Sequence, residues 1–385
     1  MAVLQRGHAL AVGVCATLSL LFHPFTRRHS FDIYIAWSLF LYVAHNPFSS
    51  SVEYQPRTAM STILPRYVEI AVNLGDPMFR GVYHEKKKHT DDLDQVLTRA
   101  SNAGVDAQII TAGSLAEVHD VLRLADTKRG LFATAGCHPT RSTELESYGA
   151  PAYMNALKDV ILANPCIVAV GECGLDYDRL HFSPADAQQR CFKLQLQLAE
   201  QVRLPLFLHS RGAHTDFVRI LRPHLSSLRL DHTEPTPESK GSVGVVHSFT
   251  GTLDEMQELV QMGLYIGVNG CSLKTQENLD VVKHIPLHRI MLETDAPWCD
   301  IRPTHASHAH LEAFAKSSPQ LCALYSPVRV KPEKWTENAA VKGRCEPCHI
   351  GQVAAVVAQL KGIRLEELAS QAFQNSVDLF RLPLL

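Results

Sequence analysis

CIVAVGECGLDYDRL, residues 166–180, runs from five apolar residues, Cys166 to Val170, into a carboxylate, Glu172, held between Gly171 and Gly174. The apolar part reads as a buried strand. A buried strand that ends on an acid must leave it in water or give it a partner, because an unpaired buried charge is costly. A metal ion, a base or a substrate would serve, and one strand does not choose among them.

Seven similar runs surround it: YVEIAVNL (67–74), AQIITAG (107–113), LFATAGC (131–137), LPLFLHS (204–210), GVVHSF (244–249), LYIGVNG (264–270) and RIMLETD (289–295). The segments between them, such as DDLDQVLTRASNAG, SLAEVHDVLRLADT and TLDEMQELVQMG, have the three- and four-residue apolar spacing of helices. Ser114 and Thr252 stand where N-caps belong. Strict alternation, with strands apolar enough to be covered on both faces, predicts a parallel sheet. Eight strands close a (β/α)8 barrel of the TIM type. The alternative is an open doubly wound sheet, but the first strand-to-helix junction lacks a G-x-G-x-x-G loop. RLDHTEPTPESKGS (229–242) reads as a surface loop, and a second long connection runs from Cys299 to about Arg344.

The strand ends carry the chemistry. Glu172, His209, His247 and Asp295 terminate the fourth, fifth, sixth and eighth runs. In a barrel these ends share one mouth. Two imidazoles and two carboxylates from four strands can close around a divalent cation, which gives Glu172 its partner. The flanking glycines are read as leaving room for ion and substrate. This nitrogen and oxygen set admits Mg²⁺, Mn²⁺ or Zn²⁺, with Mg²⁺ the expected ion. Such a cation lowers the pKa of bound water and polarises a carbonyl or phosphoryl oxygen. His138, in GCHP, should lie at the same mouth. A Cys137–His138 nucleophile pair is disfavoured because adjacent strand residues face opposite ways. Lys86–Lys88 reads as a solvated charge run, with contact to a polyanion at the mouth as the alternative, and Arg211 is the better phosphate contact.

The 385 residues are 46% hydrophobic and 20% charged, with a net charge of -2. That is a globular mixture with no global basic field to recruit nucleic acid or a membrane. The 10 cysteines are scattered, some within apolar runs, which suits reduced thiols. CEPCH (345–349) has the C-x-x-C-H spacing of a haem attachment site, yet Pro347 opens an apolar helical pattern, so it is read as a helix start. Residues 1–59 contain two apolar patches, each shorter than a bilayer span. They are expected to be an extension, poorly ordered or with short helices, with a targeting or anchor segment as the alternative. The expected domain is 60–385, opening at Met60.

NLGDPMFRGVYH, GCHPTR, GECGLDYDRL, LFLHSR, VVHSFTGT, YIGVNGCSLKT and ETDAPWC together resemble the TatD-type metal-dependent deoxyribonucleases, particularly the eukaryotic branch, over about Arg66 to Phe380. The resemblance implies an amidohydrolase-like barrel and divalent-metal hydrolysis of DNA phosphodiesters. It implies 3′-to-5′ exonuclease or endonuclease action, in DNA degradation or repair. It makes Glu172, His209, His247 and Asp295 the metal ligands, with Asp295 also orienting the attacking water, and His138 a substrate-side residue; Glu172 and Asp295 are taken as the catalytic pair, and Arg211 and Asn73 are added as substrate-side candidates from their places at the mouth. Many relatives carry H-x-H on the first strand; Ala71 and Asn73 stand there here, so a tightly bound second metal is not expected. Glu69 replaces the usual Asp, and Cys345 the usual Asn before Glu-Pro. A carbonyl hydrolase on the same barrel, such as a D-aminoacyl-tRNA deacylase or amidase, is the alternative. A compact apolar pocket would favour it; cations at the mouth favour the nuclease. DNA is the expected partner, with no obligate protein partner, no membrane association, and a cytoplasmic or nuclear location.

Overall fold

The computed structural model of the protein describes residues 64–229 and 241–383. The expectations for residues 1–59 and for most of the 229–242 loop lie outside them. The eight barrel strands are β1 (Tyr67–Val72), β2 (Val105–Ile110), β3 (Leu131–Ala135), β4 (Ile167–Asp176), β5 (Leu206–Arg211), β6 (Gly244–Val246), β7 (Leu264–Val268) and β8 (Ile290–Leu292). They pair in chain order in one parallel sheet. The ring closes just past β8, where Val72 bridges Ala296. There Asp295 N donates to Ala71 O at 3.0 Å and Asn73 N to Ala296 O at 2.8 Å. The chain therefore forms a (β/α)8 barrel.

Two expectations about β4 need correction. The strand does not stop at Glu172 but continues to Asp176, pairing Gly174 with His209 and Asp176 with Arg211 after a register shift. Nor do the glycines make room for ligand. A Cβ on Gly171 would lie 2.1 Å from Phe207 O, and one on Gly174 2.0 Å from His209 O. Both have left-handed φ, 147° and 137°. They are glycines because the irregular strand presses its backbone against β5.

The helices begin where the caps predicted. Ser114 accepts from Glu117 N ahead of Leu115–Ala125, and Thr252 forms a capping box with Glu255 ahead of Leu253–Gln261. Apolar residues divide by strand face. Val68, Ile70, Ile109, Phe132, Val168, Phe207 and Val245 pack inside the barrel against Leu379 and Phe380 of the last helix, Leu365–Phe380. Asn375 on that helix donates to Leu287 O and Ile290 O at 3.0 and 2.7 Å, so it seals the end opposite the mouth. The outward faces pack against the helical ring.

The connection after Cys299 is more ordered than its sequence suggests. It carries helices His308–Ser317 and Pro319–Tyr325 and a parallel ribbon, Arg329–Val330 with Ala340–Val341. Arg344 is fully buried, donating to Asp92 at 2.8 and 2.6 Å and to Glu346 at 2.8 Å. Glu346 also accepts from Arg99 at 2.7 and 3.0 Å. Removing one partner of such a network typically costs about 3–5 kcal/mol. Pro347 opens a short turn into Ile350–Lys361, and Cys345, Cys348 and His349 are buried.

Candidate metal centre

The strand ends bring the predicted residues into one cavity of about 650 Å³, whose wall includes His138, Glu172, His209, Arg211, His247 and Asp295. Glu172 Oε1 is the focus. It lies 2.7 Å from His247 Nε2, 2.9 Å from His209 Nδ1 and 3.4 Å from His138 Nε2. Glu172, His209 and His247 form a group able to hold a metal ion, and so do His138, Asp176 and His209. Asp295 is on the same cavity wall, with φ at 53°. Its Oδ1 accepts from Asn73 Nδ2 at 3.0 Å.

Charge is strongly redistributed here. Burial pushes the Glu172 carboxyl up, but His247 and His138, with hydrogen bonds from His138 and His209, hold it well below the usual carboxylate range. Burial pulls His209 and His247 down, yet the carboxylates around them win and raise both, His247 most. Asp295 goes the other way. Burial, helped by Glu293 and Glu172, outweighs His247 and the Asn73 hydrogen bond and lifts it to about 6.

Two carboxylates missed in the sequence stand behind the imidazoles. His209 Nε2 is 3.2 Å from Asp176 Oδ2, and His247 Nδ1 is 3.7 Å from Glu293 Oε2. A carboxylate behind a ligating imidazole fixes its tautomer and orientation. Glu293 is itself held by Ser248 N at 2.6 Å and Asn269 Nδ2 at 2.9 Å. The one signal was proximity in the chain: Glu293 is two residues from Asp295 and Asp176 four from Glu172. The donor chemistry of Glu172, His209 and His247 fits a divalent cation, and beside it the buried Asp176 Oδ1 has no hydrogen-bond partner.

Other expectations divide. Asn73 is not on the cavity wall; its amide serves Asp295 and Ala296 O, and its Oδ1 accepts from Thr111. Glu69 is buried beside the mouth and accepts from Ala71 N and Thr294 N, so the longer acid hydrogen-bonds locally. Cys137 is buried, its backbone bound by Gln195, while His138 faces the cavity. Lys86 and Lys87 are exposed, and Lys88 pairs with Glu333 at 3.1 Å. Arg211 is on the cavity wall and donates to Thr250 Oγ1 at 2.8 Å. Among the described residues, no helix is long and apolar enough to cross a membrane.

Comparison with known proteins gives the same picture. The TatD related DNase family description matches residues 82–381. Deoxyribonuclease Tat-D of Schizosaccharomyces pombe is 45% identical over 319 residues, spanning 82% of this chain and 95% of that protein. The 3′-5′ ssDNA/RNA exonuclease TatD of Edwardsiella piscicida is 37% identical over 254 residues, spanning 64% and 86%. The crystal structure of an uncharacterized amidohydrolase from Saccharomyces cerevisiae superposes with a TM-score of 0.74 at 33% identity, covering 82% of this chain and 99% of that one. With a barrel, a strand-end histidine and carboxylate cluster, and matches of this extent, the chain belongs to the TatD related DNase family.

Proposed function

We propose that this chain is a divalent-metal-dependent deoxyribonuclease that hydrolyses phosphodiester bonds, acting as a 3′-to-5′ exonuclease with endonuclease action as a secondary mode. The observation that carries the proposal is the convergence of Glu172, His209 and His247 with Asp295 in a cavity whose wall also bears Arg179 and Arg211. Glu172, His209, His247 and Asp295 hold the ion, Mg²⁺ first, with Mn²⁺ or Zn²⁺ as alternatives. A bound cation supplies an acidified water and charge neutralisation at the phosphoryl oxygen. Asp176 orients the His209 imidazole through the 3.2 Å hydrogen bond, and Glu293 places a negative charge behind His247. Asp295, on the same cavity wall, orients the attacking water. Arg211 and Arg179 contact phosphate, and His138 faces the substrate beside Glu172. Asn73 acts indirectly, by holding Asp295. The two guanidinium groups favour phosphate over the carbonyl substrates of related barrels.

Residues 60–385 are the catalytic unit in this reading. The test is digestion of 5′- and 3′-labelled single and double strands by chelator-treated protein, with Mg²⁺, Mn²⁺ or Zn²⁺ restored separately, for the full chain and for 60–385. Metal-restored shortening from the 3′ end is expected at both lengths. Cleavage that persists in chelator, or none with any ion, would overturn the assignment.

A further inference from the structure

Large apolar side chains left in water are uncommon beside a charged cavity, and one here needs a reason. Trp298 is 52% exposed, and of the exposed large apolar side chains among the described residues it alone lines the metal-binding cavity. The exposure does not come from a loose loop. Trp298 N donates to Asp295 O at 2.9 Å, and the preceding Pro297 O accepts from Cys345 N at 2.9 Å. Ala296 is tied to β1 by the bond from Asn73 N at 2.8 Å. On the other side, Cys299 O sits so near Gly270 that a Cβ there would be 1.9 Å away. The backbone is pinned from β1, from the 345 segment and from the loop after β7, while the residue is left half exposed on the cavity wall.

The same cavity also bears cations. Arg179 follows β4, with its side chain 58% exposed, and Arg211 ends β5. Arg179, Arg211 and the Trp298 side chain thus line one cavity together with Glu172, His209 and His247. A nucleotide carries the two matching groups, an anionic phosphate at one end and a flat aromatic base at the other.

We infer that Trp298 is a stacking platform for the nucleobase next to the scissile phosphate, so that the substrate is a strand whose reacting base is unpaired. The inference rests on the nuclease reading and deepens it. An internal base of a duplex has both faces covered by its neighbours and presents neither to a fixed indole. An unpaired or frayed terminal base has a free face. Stacking on an aromatic side chain is tolerant of base identity, because every base has a π-face. Trp298 thus selects for strandedness and not for sequence.

The test uses the intact protein and labelled single-stranded oligonucleotides that are either complete or abasic at one of the two nucleotides flanking the terminal phosphodiester. Wild type, Trp298→Ala and Trp298→Phe are compared by metal-restored hydrolysis and, in chelator, by anisotropy binding. On complete strands Trp298→Ala should weaken binding and raise KM by roughly 5- to 100-fold, the range typical of one stacked base, and should act less on kcat. Trp298→Phe should restore most of the loss. In wild type an abasic residue at one flanking position should cost a similar factor, and in Trp298→Ala it should cost nothing further. A folded Trp298→Ala variant that binds complete strands as wild type does, or that still loses affinity on the abasic strand, would overturn the inference. Binding with the abasic penalty but no hydrolysis with any ion would retain the platform and remove the nuclease reading. Hydrolysis with no abasic dependence would do the reverse.

Discussion

Glu172 Oε1, with three imidazole nitrogens within 3.4 Å, sets the proton balance of the whole centre. The surrounding carboxylates raise His209 and His247 above the ordinary imidazole value, so the metal-free protein holds protons there to higher pH than a free imidazole does. Groups with raised folded values stabilise the fold fully below the unfolded pKa, and that contribution is lost as pH climbs through the raised values. A cation needs the imidazoles neutral, so metal affinity should move oppositely, rising over the same window above pH 6.5. Titrating Mn²⁺ into chelator-treated protein at pH 7, in buffers of different ionisation enthalpy, should show net proton release. Heats independent of the buffer would contradict the raised values. That Glu172, His209, His247 and Asp295 share one cavity was legible in the sequence, because each is a polar residue at the end of an apolar run. Asp176 was hidden behind the irregular half of β4, where two glycines make a strand read like a loop. Glu293 was overlooked beside Asp295, and Trp298 gave no signal because exposure is not written in a local pattern.

The irregular β4 is the element that shapes the site. Its second half exists because Gly174 lets the backbone close on His209, with a Cβ position only 2.0 Å from His209 O and φ at 137°. Gly174→Ala should therefore strain the chain and push β5 away, costing roughly 2–5 kcal/mol from the unfavourable φ and overpacking together. Activity should fall as well, because His209 and Asp176 are displaced with the strand pair. Gly75→Ala is the matched control: nothing lies within 4 Å of its added Cβ, so its effect should stay within about 0.5 kcal/mol. Denaturant unfolding of the two variants checks this, and equal stabilities would contradict the close-approach argument. The eight strands could be read from sequence because burial on both faces makes them continuous apolar runs. Their lengths could not, since β6 and β8 are three residues each and their neighbours continue as hydrogen-bonded loop. The ordered connection after Cys299 was unreadable for a related reason: Arg344, Asp92 and Glu346 hold it through buried charge, which no hydrophobic period reports.

As a whole molecule, the barrel gathers residues far apart in the chain at one end and seals the other with its last helix. Overall charge is near balance at -2, so attraction of a polyanion has to come from the cavity itself. The cavity of about 650 Å³ brings together a group able to hold a cation, two arginines and a half-exposed tryptophan. Every part of this reading passes through Glu172, whose one oxygen is shared by the histidines of three strand ends. Glu172→Gln keeps the shape of that side chain and removes its charge. The decisive measurement pairs calorimetric metal binding with digestion of a 5′-labelled single strand, on wild type and Glu172→Gln shown by circular dichroism to be folded. The expected result is loss of tight metal binding together with a fall in hydrolysis of roughly two orders of magnitude or more. A folded Glu172→Gln protein that binds metal and digests DNA as wild type does would contradict it.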